Sequence, residues 1–300
     1  MNNELLNLCR YYADARAVSN GVITTPVSGL TIVRSIHQGE LQVAVSKPLV
    51  AMMLQGRKRV TTGSNSFEYG PGEAMVISAD IPIEGLITKA SAGEPYYSLV
   101  LELDITLLSE LQSAMTIRRN RSSSSIHVEP IRTNVADTAC RLVRLFGEHE
   151  ALNILGKGLI RELHYWLLRS EHGEAIRALG AMDSHSVKVS RAIEKLRNDF
   201  MYPIKTKELA SSVGMSVPVF HKYFRLLTTL TPQQFQKQLR LIHARNQMLT
   251  NGVSITHAAS AVGYNSVSQF TREYSRIFNI SPGRDIKLFR SRFSQKRHHN

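Results

Sequence analysis

One pattern occurs twice in the last third of the chain, and it restricts that third to a helical fold with two matched turns. The first copy reads Leu209-Ala-Ser-Ser-Val-Gly-Met-Ser and continues through Phe220 and Phe224 to Thr231-Pro232. The second reads Ala258-Ala-Ser-Ala-Val-Gly-Tyr-Asn and continues through Phe270 and Tyr274 to Ser281-Pro282. Gly214 and Gly263 stand 49 residues apart, whereas Phe220 and Phe270, like Pro232 and Pro282, stand 50 apart. The second copy therefore carries one extra residue just after its glycine. A single copy is a common accident in helical proteins; two in step predict a repeated helix-turn-helix.

The residue types suit that geometry. Glycine accepts the positive φ of a sharp turn between helices, and Ala210 and Ala259 are small enough for the first helix of each pair to pack closely on the second. Ser216 and Ser266 stand where a second helix would need an N-cap. Phe220 and Phe224, and then Phe270 and Tyr274, are four apart and predict one buried helical face. Around them His221, Lys222 and Arg225, then Ser268, Gln269, Thr271, Arg272 and Arg276, are polar and face outward. A helix anchored by aromatics and showing such side chains to solvent suits the major groove of double-stranded DNA. A small helical core with a solvated basic face is the plainer alternative, and the repetition argues against it.

Charge separates the chain into two parts. The whole sequence has 37 Lys and Arg against 24 Asp and Glu, a net +13. From His185 to Asn300 there are 19 basic and 5 acidic residues, while residues 1–184 hold 18 and 19. All of the net positive charge thus lies on the segment with the repeat, as expected for a nucleic-acid binder joined to a separate partner domain. RNA or an anionic membrane would also attract a basic surface, but neither accounts for the spaced repeat.

At 300 residues and 43% hydrophobic content the chain can bury two ordinary cores. No run approaches the roughly eighteen apolar residues of a membrane span, and Met1-Asn-Asn-Glu-Leu-Leu lacks the features of a secretion signal. A cytoplasmic protein is expected. Cys9 and Cys140 form no CxxC pair and lie near no histidine cluster, so they predict buried thiols and no metal or cofactor.

Between residues 30 and 104 short apolar and β-branched runs alternate with turn signals. The strand candidates are Ile32–Ile36, Leu49–Leu54, Lys58–Thr62, Glu73–Ile77, Gly85–Thr88 and Tyr97–Leu103. The separators are Gln55-Gly56, Gly63-Ser64-Asn65, Tyr69-Gly-Pro-Gly72, Asp80-Ile-Pro82 and Ala92-Gly-Glu-Pro95. Such spacing points to a small barrel or sandwich able to enclose one small ligand. A cupin metal motif is missing, since His37 is the only histidine of that stretch. From 105 to about 180 the pattern turns helical, with Ile105–Met115, Val135–Phe146 and Ile154–Leu168 amphipathic. These helices would cover the barrel or pair with a second copy. His164 is read as packing. Arg118-Arg-Asn-Arg-Ser-Ser-Ser-Ser125 reads as an exposed loop, and Glu171–Glu174 and Ala181–Ser186 as interdomain connection.

At the level of motifs the chain resembles bacterial transcription regulators of the AraC/XylS family. Over residues 187–290 the resemblance includes both turns and the intervening Gln238-Leu-Arg-Leu-Ile-His-Ala-Arg-Asn-Gln-Met-Leu249, similar to the family's linker helix, with Met248-Leu249 in place of the usual Leu-Leu. Met53–Val60, Tyr69–Pro82 and Pro95–Asp104 resemble the family's N-terminal sensor domain. The resemblance implies an α+β protein: a cupin-like β-barrel with packed helices over 1–180, a linker at 181–186, and an all-α domain with two helix-turn-helix motifs over 187–300. It implies DNA-contacting positions at Val217, Pro218, His221, Lys222 and Arg225 in the first motif, and at Val267, Ser268, Thr271, Arg272 and Arg276 in the second. The linker helix would hold the two about one DNA turn, roughly 34 Å, apart. Pro218 replaces a frequent base-reading position, so the first motif is expected to tune specificity and the second to follow the family pattern more closely. Arg240 and Arg245 are expected to be structural rather than phosphate-bound.

The resulting expectation is a sequence-specific DNA-binding regulator with no catalytic residues. Its partners are promoter or operator DNA, a small-molecule effector in the barrel and, as a further candidate, RNA polymerase. It would act without a membrane, as monomer or homodimer. An effector favouring one arrangement of barrel and linker would shift DNA binding by population. A cupin-like enzyme, a fused repair methyltransferase and a ligand-independent nucleoid-type binder are the alternatives. The first two lack, respectively, metal ligands with a paired acid–base set and a reactive cysteine cluster.

Overall fold

Alternation of buried and half-exposed side chains builds the N-terminal half. The computed structural model describes residues 3–16, 21–39, 41–62, 65–115, 126–170, 173–180, 185–228 and 230–294. The chain divides into two compact units, residues 1–187 and 188–300.

In the first unit an opening helix α1 (Asn3–Asp14) precedes nine strands: β1 (Val22–Thr24), β2 (Leu30–Ser35), β3 (Leu41–Ser46), β4 (Leu49–Gln55), β5 (Arg57–Thr62), β6 (Asn65–Tyr69), β7 (Glu73–Ile77), β8 (Ile81–Lys89) and β9 (Tyr96–Glu102). Helix α2 (Ile105–Ser113), strand β10 (Ile126–Pro130) and helices α3 (Thr133–Arg144), α4 (His149–Leu168) and α5 (Gly173–Gly180) complete it. The described strands form two sheets, ordered β1-β2-β9-β4-β7-β10 and β3-β8-β5-β6, with every pairing antiparallel.

Side chains alternate across the larger sheet. Val50, Met52, Leu54, Val76, Tyr97, Leu99 and Leu101 join one buried cluster with Leu5, Cys9 and Ala13 of α1, Leu142 and Val143 of α3, and Leu163 and Leu167 of α4. The opposite face turns Met53, Met75, Ile77, Tyr96 and Ser98 towards the second sheet, where Val60 and Ile87 are also buried. Tyr96 Oη donates to Ser98 Oγ at 3.0 Å, and Tyr69 pairs with Tyr96. Burial pushes the Tyr96 phenol up to about 12. Three hydroxyl groups therefore meet among buried side chains that are mostly apolar, with Thr62 and Ser78 also buried in this unit.

The sequence reading locates β2, β4, β5, β7 and β9, and helices α2, α3 and α4, within a few residues, and the second half of β8. It assigns no element to α1, β1, β3, β6 or β10. Several of its connections are corrected: Asn65 and Tyr69 belong to β6, Ile81-Pro82 belongs to β8, Gly173-Glu174 opens α5, and His185-Ser186 opens a further helix. Residues 118–125 and 181–184 lie outside the described residues. His164 is 1% exposed; its Nε2 accepts from the Asp104 N–H at 3.1 Å and its Nδ1 lies 2.8 Å from the Ile160 carbonyl. It is a neutral bridge between the end of β9 and α4, and burial lowers its pKa. Cys9 and Cys140 are buried free thiols. Among the described residues no helix is long and apolar enough to cross a membrane.

The second unit is helical. Helix α6 (His185–Asn198) begins just before the division and buries Val189, Ala192, Ile193 and Leu196 at helical spacing. It is followed by α7 (Thr206–Ser212), α8 (Val217–Thr228), α9 (Pro232–Thr250), α10 (Ile255–Ala261), α11 (Val267–Phe278) and α12 (Pro282–Ser294).

Candidate nucleic-acid interface

Each repeat folds as a short helix, a turn and a longer helix: α7 and α8 in the first, α10 and α11 in the second. The turn glycines adopt positive φ, +63° at Gly214 and +82° at Gly263, the conformation for which glycine was expected. Ala210 and Ala259 are fully buried where the paired helices meet. Ser266 caps α11, its hydroxyl accepting from the Gln269 N–H at 3.3 Å. The C-terminus of α11 closes on Asn279 in the left-handed region, φ 54°, where Asn is among the few tolerated side chains.

The two recognition helices bury one face and expose the other. Phe220, Phe224 and Thr228 of α8, and Phe270, Tyr274 and Phe278 of α11, are buried at spacings of four. On the other side of α8, Pro218, Lys222 and Arg225 are exposed while Val217 and His221 are half-buried; on α11, Val267, Ser268, Arg272 and Arg276 are exposed and Thr271 is half-buried. Each set falls on one helical face. Arg225, Arg272 and Arg276 make no ion pair among the described residues, so three guanidinium groups are available to an external anion or base edge.

Both helices rest on aromatics, and α11, where Phe270 packs on Tyr274 at 5.5 Å and Tyr274 on Phe278 at 4.4 Å, has polar support in addition. Behind α8 the contacts are aromatic: Phe224 packs on Phe220 at 5.4 Å and edge-on against Phe235 of α9 at 5.6 Å. Behind α11 lies a buried polar lock. Asp285 of α12 accepts from Arg245 Nε at 2.7 Å and Arg245 Nη2 at 3.2 Å, and from the Tyr274 hydroxyl at 2.6 Å. Burial works against the Arg245 charge, and Asp285 outweighs it and holds its pKa above the usual value. A second polar cluster stands at the front of α11. Glu273 accepts from Tyr264 at 2.7 Å, Lys237 at 3.0 Å and Gln269 at 3.3 Å. Burial would raise the Glu273 pKa, but these donors together bring it below the usual carboxylate range. Tyr264 directly follows Gly263, where the first turn has Met215, and both close the turn through the same backbone bond, so the second turn supplies a side-chain donor that the first lacks.

Helix α9 joins the motifs. Its 19 residues span about 28 Å at roughly 1.5 Å per residue. Thr231 caps it in a reciprocal box with Gln234: the Thr231 hydroxyl accepts from the Gln234 N–H at 3.2 Å, and the Gln234 side chain accepts from the Thr231 N–H at 2.9 Å. Pro232 begins the helix, where its missing N–H costs nothing. Arg240 and Arg245 both project from α9 onto protein groups, Arg245 onto Asp285 and Arg240 onto three backbone carbonyls. A polar groove of about 220 Å³ lies between α9 and α11, lined among others by Gln236, Lys237, Arg240, Gln269 and Glu273.

Sequence reasoning did not find the Asp285 lock or the Glu273 cluster. Their members are distant in sequence, and no short motif joins them. Among the described residues no group of three or more His, Cys, Asp or Glu side chains gathers as a metal site.

Residues 26–175 match the family described as AraC-type transcriptional regulator N-terminus, and residues 209–287 match a helix-turn-helix domain. Among characterised proteins, the chain is 27% identical over 107 residues to the HTH-type transcriptional activator RhaS of Yersinia pestis, a match covering 36% of this chain and 39% of that protein. It is 32% identical over 114 residues to the transcriptional activator NphR of a Rhodococcus species, covering 37% of this chain and 33% of NphR. The chain thus matches about two-fifths or less of the length of these relatives. Among solved structures, unsaturated fatty acid-bound ToxT from Vibrio cholerae superposes with a TM-score of 0.60 over 88% of this chain and 97% of ToxT, at 9% identity. An apo form of ToxT carrying one substitution gives 0.58 over 89% of this chain and 100% of that one, also at 9% identity. That likeness shows a shared fold. With a cupin-like double sheet under packed helices, a unit carrying two helix-turn-helix motifs, and a family match across half its length, the chain belongs to the AraC-type transcriptional regulators.

Proposed function

We propose that this chain is a sequence-specific DNA-binding transcription regulator whose N-terminal unit binds a small molecule. The observation that carries the reading is the pair of recognition helices, each anchored by buried aromatics and showing arginines on the opposite face. They lie in the segment that holds all of the chain's net positive charge. The proposed DNA-contacting residues are Val217, Pro218, His221, Lys222 and Arg225 on α8, and Val267, Ser268, Thr271, Arg272 and Arg276 on α11. In this reading the protein works by binding and not by catalysis, in the cytoplasm.

Replacing Arg272 with Ala tests the site. Specific binding weakens by roughly 1–3 kcal/mol if Arg272 reads a base, or the dependence of log K on log salt falls by about one if it holds a phosphate. No change in either quantity removes Arg272 from the interface. Occupancy of the chain across a bacterial genome distinguishes a regulator, confined to a few sites, from a nucleoid-type binder spread over many.

For the effector, the buried hydroxyls of Tyr69, Tyr96 and Ser98, with Met53 paired opposite Ser98 across the sheet, favour a ligand with an apolar body and one polar end. ToxT is described with a fatty acid bound, which fits the same class. Such a ligand would favour one arrangement of the N-terminal unit and linker, and thereby shift the population that binds DNA. Comparing genomic occupancy with and without candidate ligands tests this. Identical occupancy under every ligand overturns it.

A further inference from the structure

Within the DNA-binding unit, the segment before the first motif touches the turn of the second. Residues 199–205 connect α6 to α7, and residues 200–202 of them lie on the linker helix through a ring stack and several hydrogen bonds. The Phe200 ring stacks on His243 of α9, centroids 4.2 Å apart and planes 14° from parallel. Gln236 Nε2 donates to the Phe200 carbonyl at 2.9 Å and also to the Tyr202 carbonyl. Arg240 Nε donates to the Phe200 carbonyl at 2.7 Å, and Arg240 Nη2 to the Met201 carbonyl at 2.8 Å.

The same guanidinium crosses to the other motif. Arg240 Nη1 donates to the carbonyl of Gly263, the turn residue between α10 and α11, at 3.3 Å. At that glycine the fit leaves no space for a side chain: a Cβ would collide with the Met201 carbonyl oxygen and would lie 3.3 Å from the Arg240 guanidinium. Nothing comparable surrounds Gly214, where a Cβ would meet no atom within 4 Å. The two turns are alike in sequence, but only the second is packed against another segment, the one that precedes the first motif. One planar, multidonor side chain of α9 thus ties the segment leading into the first motif to the turn of the second through backbone oxygens, which side-chain changes in the loop cannot remove.

We infer that Arg240 is a positioning residue for DNA binding, fixing the angle and spacing of α8 and α11 so that both enter one face of the duplex together. The inference rests on the DNA-binding reading above. A protein with two rigidly related readers binds a two-part site far better than either part alone. It also demands a fixed helical phase between the parts, because the second contact is then intramolecular at high effective concentration. Loosening the clamp removes that advantage while leaving each recognition helix intact on its own aromatic or polar support.

The test uses the full chain and a pool of random duplexes about three DNA turns long, roughly 30 base pairs, from which the wild-type protein enriches its preferred sequence. Binding is then compared on that duplex, on two derivatives with one half scrambled, and on one with about half a helical turn, roughly five base pairs, inserted between the halves. The wild-type chain is expected to prefer the intact duplex by at least about tenfold over each derivative. Arg240→Lys keeps the charge and the aliphatic stem but cannot reach three carbonyls, so it reduces the preference to below about threefold. Its affinity for the half-scrambled duplexes stays within about twofold of wild type, and its salt dependence is unchanged. Arg240→Ala behaves the same way if it folds, and Gln236→Leu shifts the preference in the same direction.

The clamp is overturned if Arg240→Lys keeps the wild-type preference and sensitivity to the insertion. A loss in Arg240→Ala that Arg240→Lys restores, with the salt slope lower by about one in Arg240→Ala, also overturns it, because that is the signature of a phosphate contact. Failure of the wild-type chain to enrich any duplex overturns the DNA-binding reading and the clamp together, and is distinguishable from both results above.

Discussion

The two helix-turn-helix motifs share a pattern and differ in how they are held. In the first, α8 rests on Phe220, Phe224 and Phe235, and its turn glycine faces open space. In the second, α11 rests likewise on Phe270, Tyr274 and Phe278 but is tied in addition by Arg245 and Asp285 behind and by Lys237, Tyr264 and Glu273 in front, and its turn is packed against Met201 and Arg240. The preceding helices differ too: α10 is capped by Ser254, whereas α7 begins at Lys205 with no side-chain cap. Apolar packing tolerates small rotations, because dispersion contacts have little directionality. A network of charged, short hydrogen bonds fixes orientation more narrowly. The second recognition helix is thus set in one geometry, while the first keeps some freedom to adjust.

The largest expected effect tests the buried lock. Arg245→Met leaves the Asp285 carboxylate buried without its cation, and the C-terminal unit should lose about 3–5 kcal/mol in urea unfolding. Replacing Arg245 and Asp285 together with apolar residues should recover most of that loss. If Arg245→Met costs less than about 1 kcal/mol, the lock does not hold the second motif and the contrast collapses.

Next in size are the turn glycines. Gly214→Ala should cost about 1–2 kcal/mol, the ordinary penalty of a left-handed alanine. Gly263→Ala adds a backbone collision and should cost at least about 1 kcal/mol more. Equal costs in thermal unfolding would show that the packing on Gly263 is not restrictive.

The caps offer a smaller test. Ser266→Ala should cost about 1 kcal/mol, while Lys205→Asp, which gives α7 a cap it lacks, should stabilise by roughly 0.5–1 kcal/mol. Both are measured on the full chain by denaturation of the C-terminal unit. Stabilisation absent from Lys205→Asp would mean that α7 is limited by something other than its first turn.

The smallest effect is in pH. Glu273 titrates below its unfolded value in the folded protein, so the unfolded chain takes up its proton first as acid is added. The stability that Glu273 contributes is complete above the unfolded carboxylate pKa of about 4.3 and is lost as pH falls towards the folded value. Amide exchange in α11 should accelerate over that window more than exchange in α8, whose support is aromatic. Glu273→Gln should remove the difference. An equal acceleration in both helices would count against the front cluster.

Much of this architecture was legible because periodicity reports burial. The Phe220–Phe224 and Phe270–Tyr274 spacings, the turn glycines and the Ser266 cap follow from local rules. In the N-terminal unit, β4, β7 and β9 show long apolar runs because the larger sheet is covered on one face by helices and on the other by the second sheet. Strand β6, Asn65–Tyr69, exposes three of its five residues at a sheet edge, so its composition resembles a turn. Strand β1 has three residues, too few to show alternation. Helix α1 fully buries Leu5, Cys9 and Ala13 and packs Leu6, Leu8 and Tyr12 partly against the core, so its apolar residues run round the helix without a clean period.

Local spacing alone establishes that two reading helices exist, where they start and turn, which faces they bury, and that the positive charge accompanies them. All of these depend on neighbours a few positions apart, and such interactions are written into the order of residues. That the motifs are held unequally emerges only once the chain is folded. Arg240 meets carbonyls 23 to 40 positions away, and Arg245 meets a carboxylate 40 positions away. A backbone oxygen carries no residue signature, so the sequence points to a structural role for Arg240 without revealing which groups it holds.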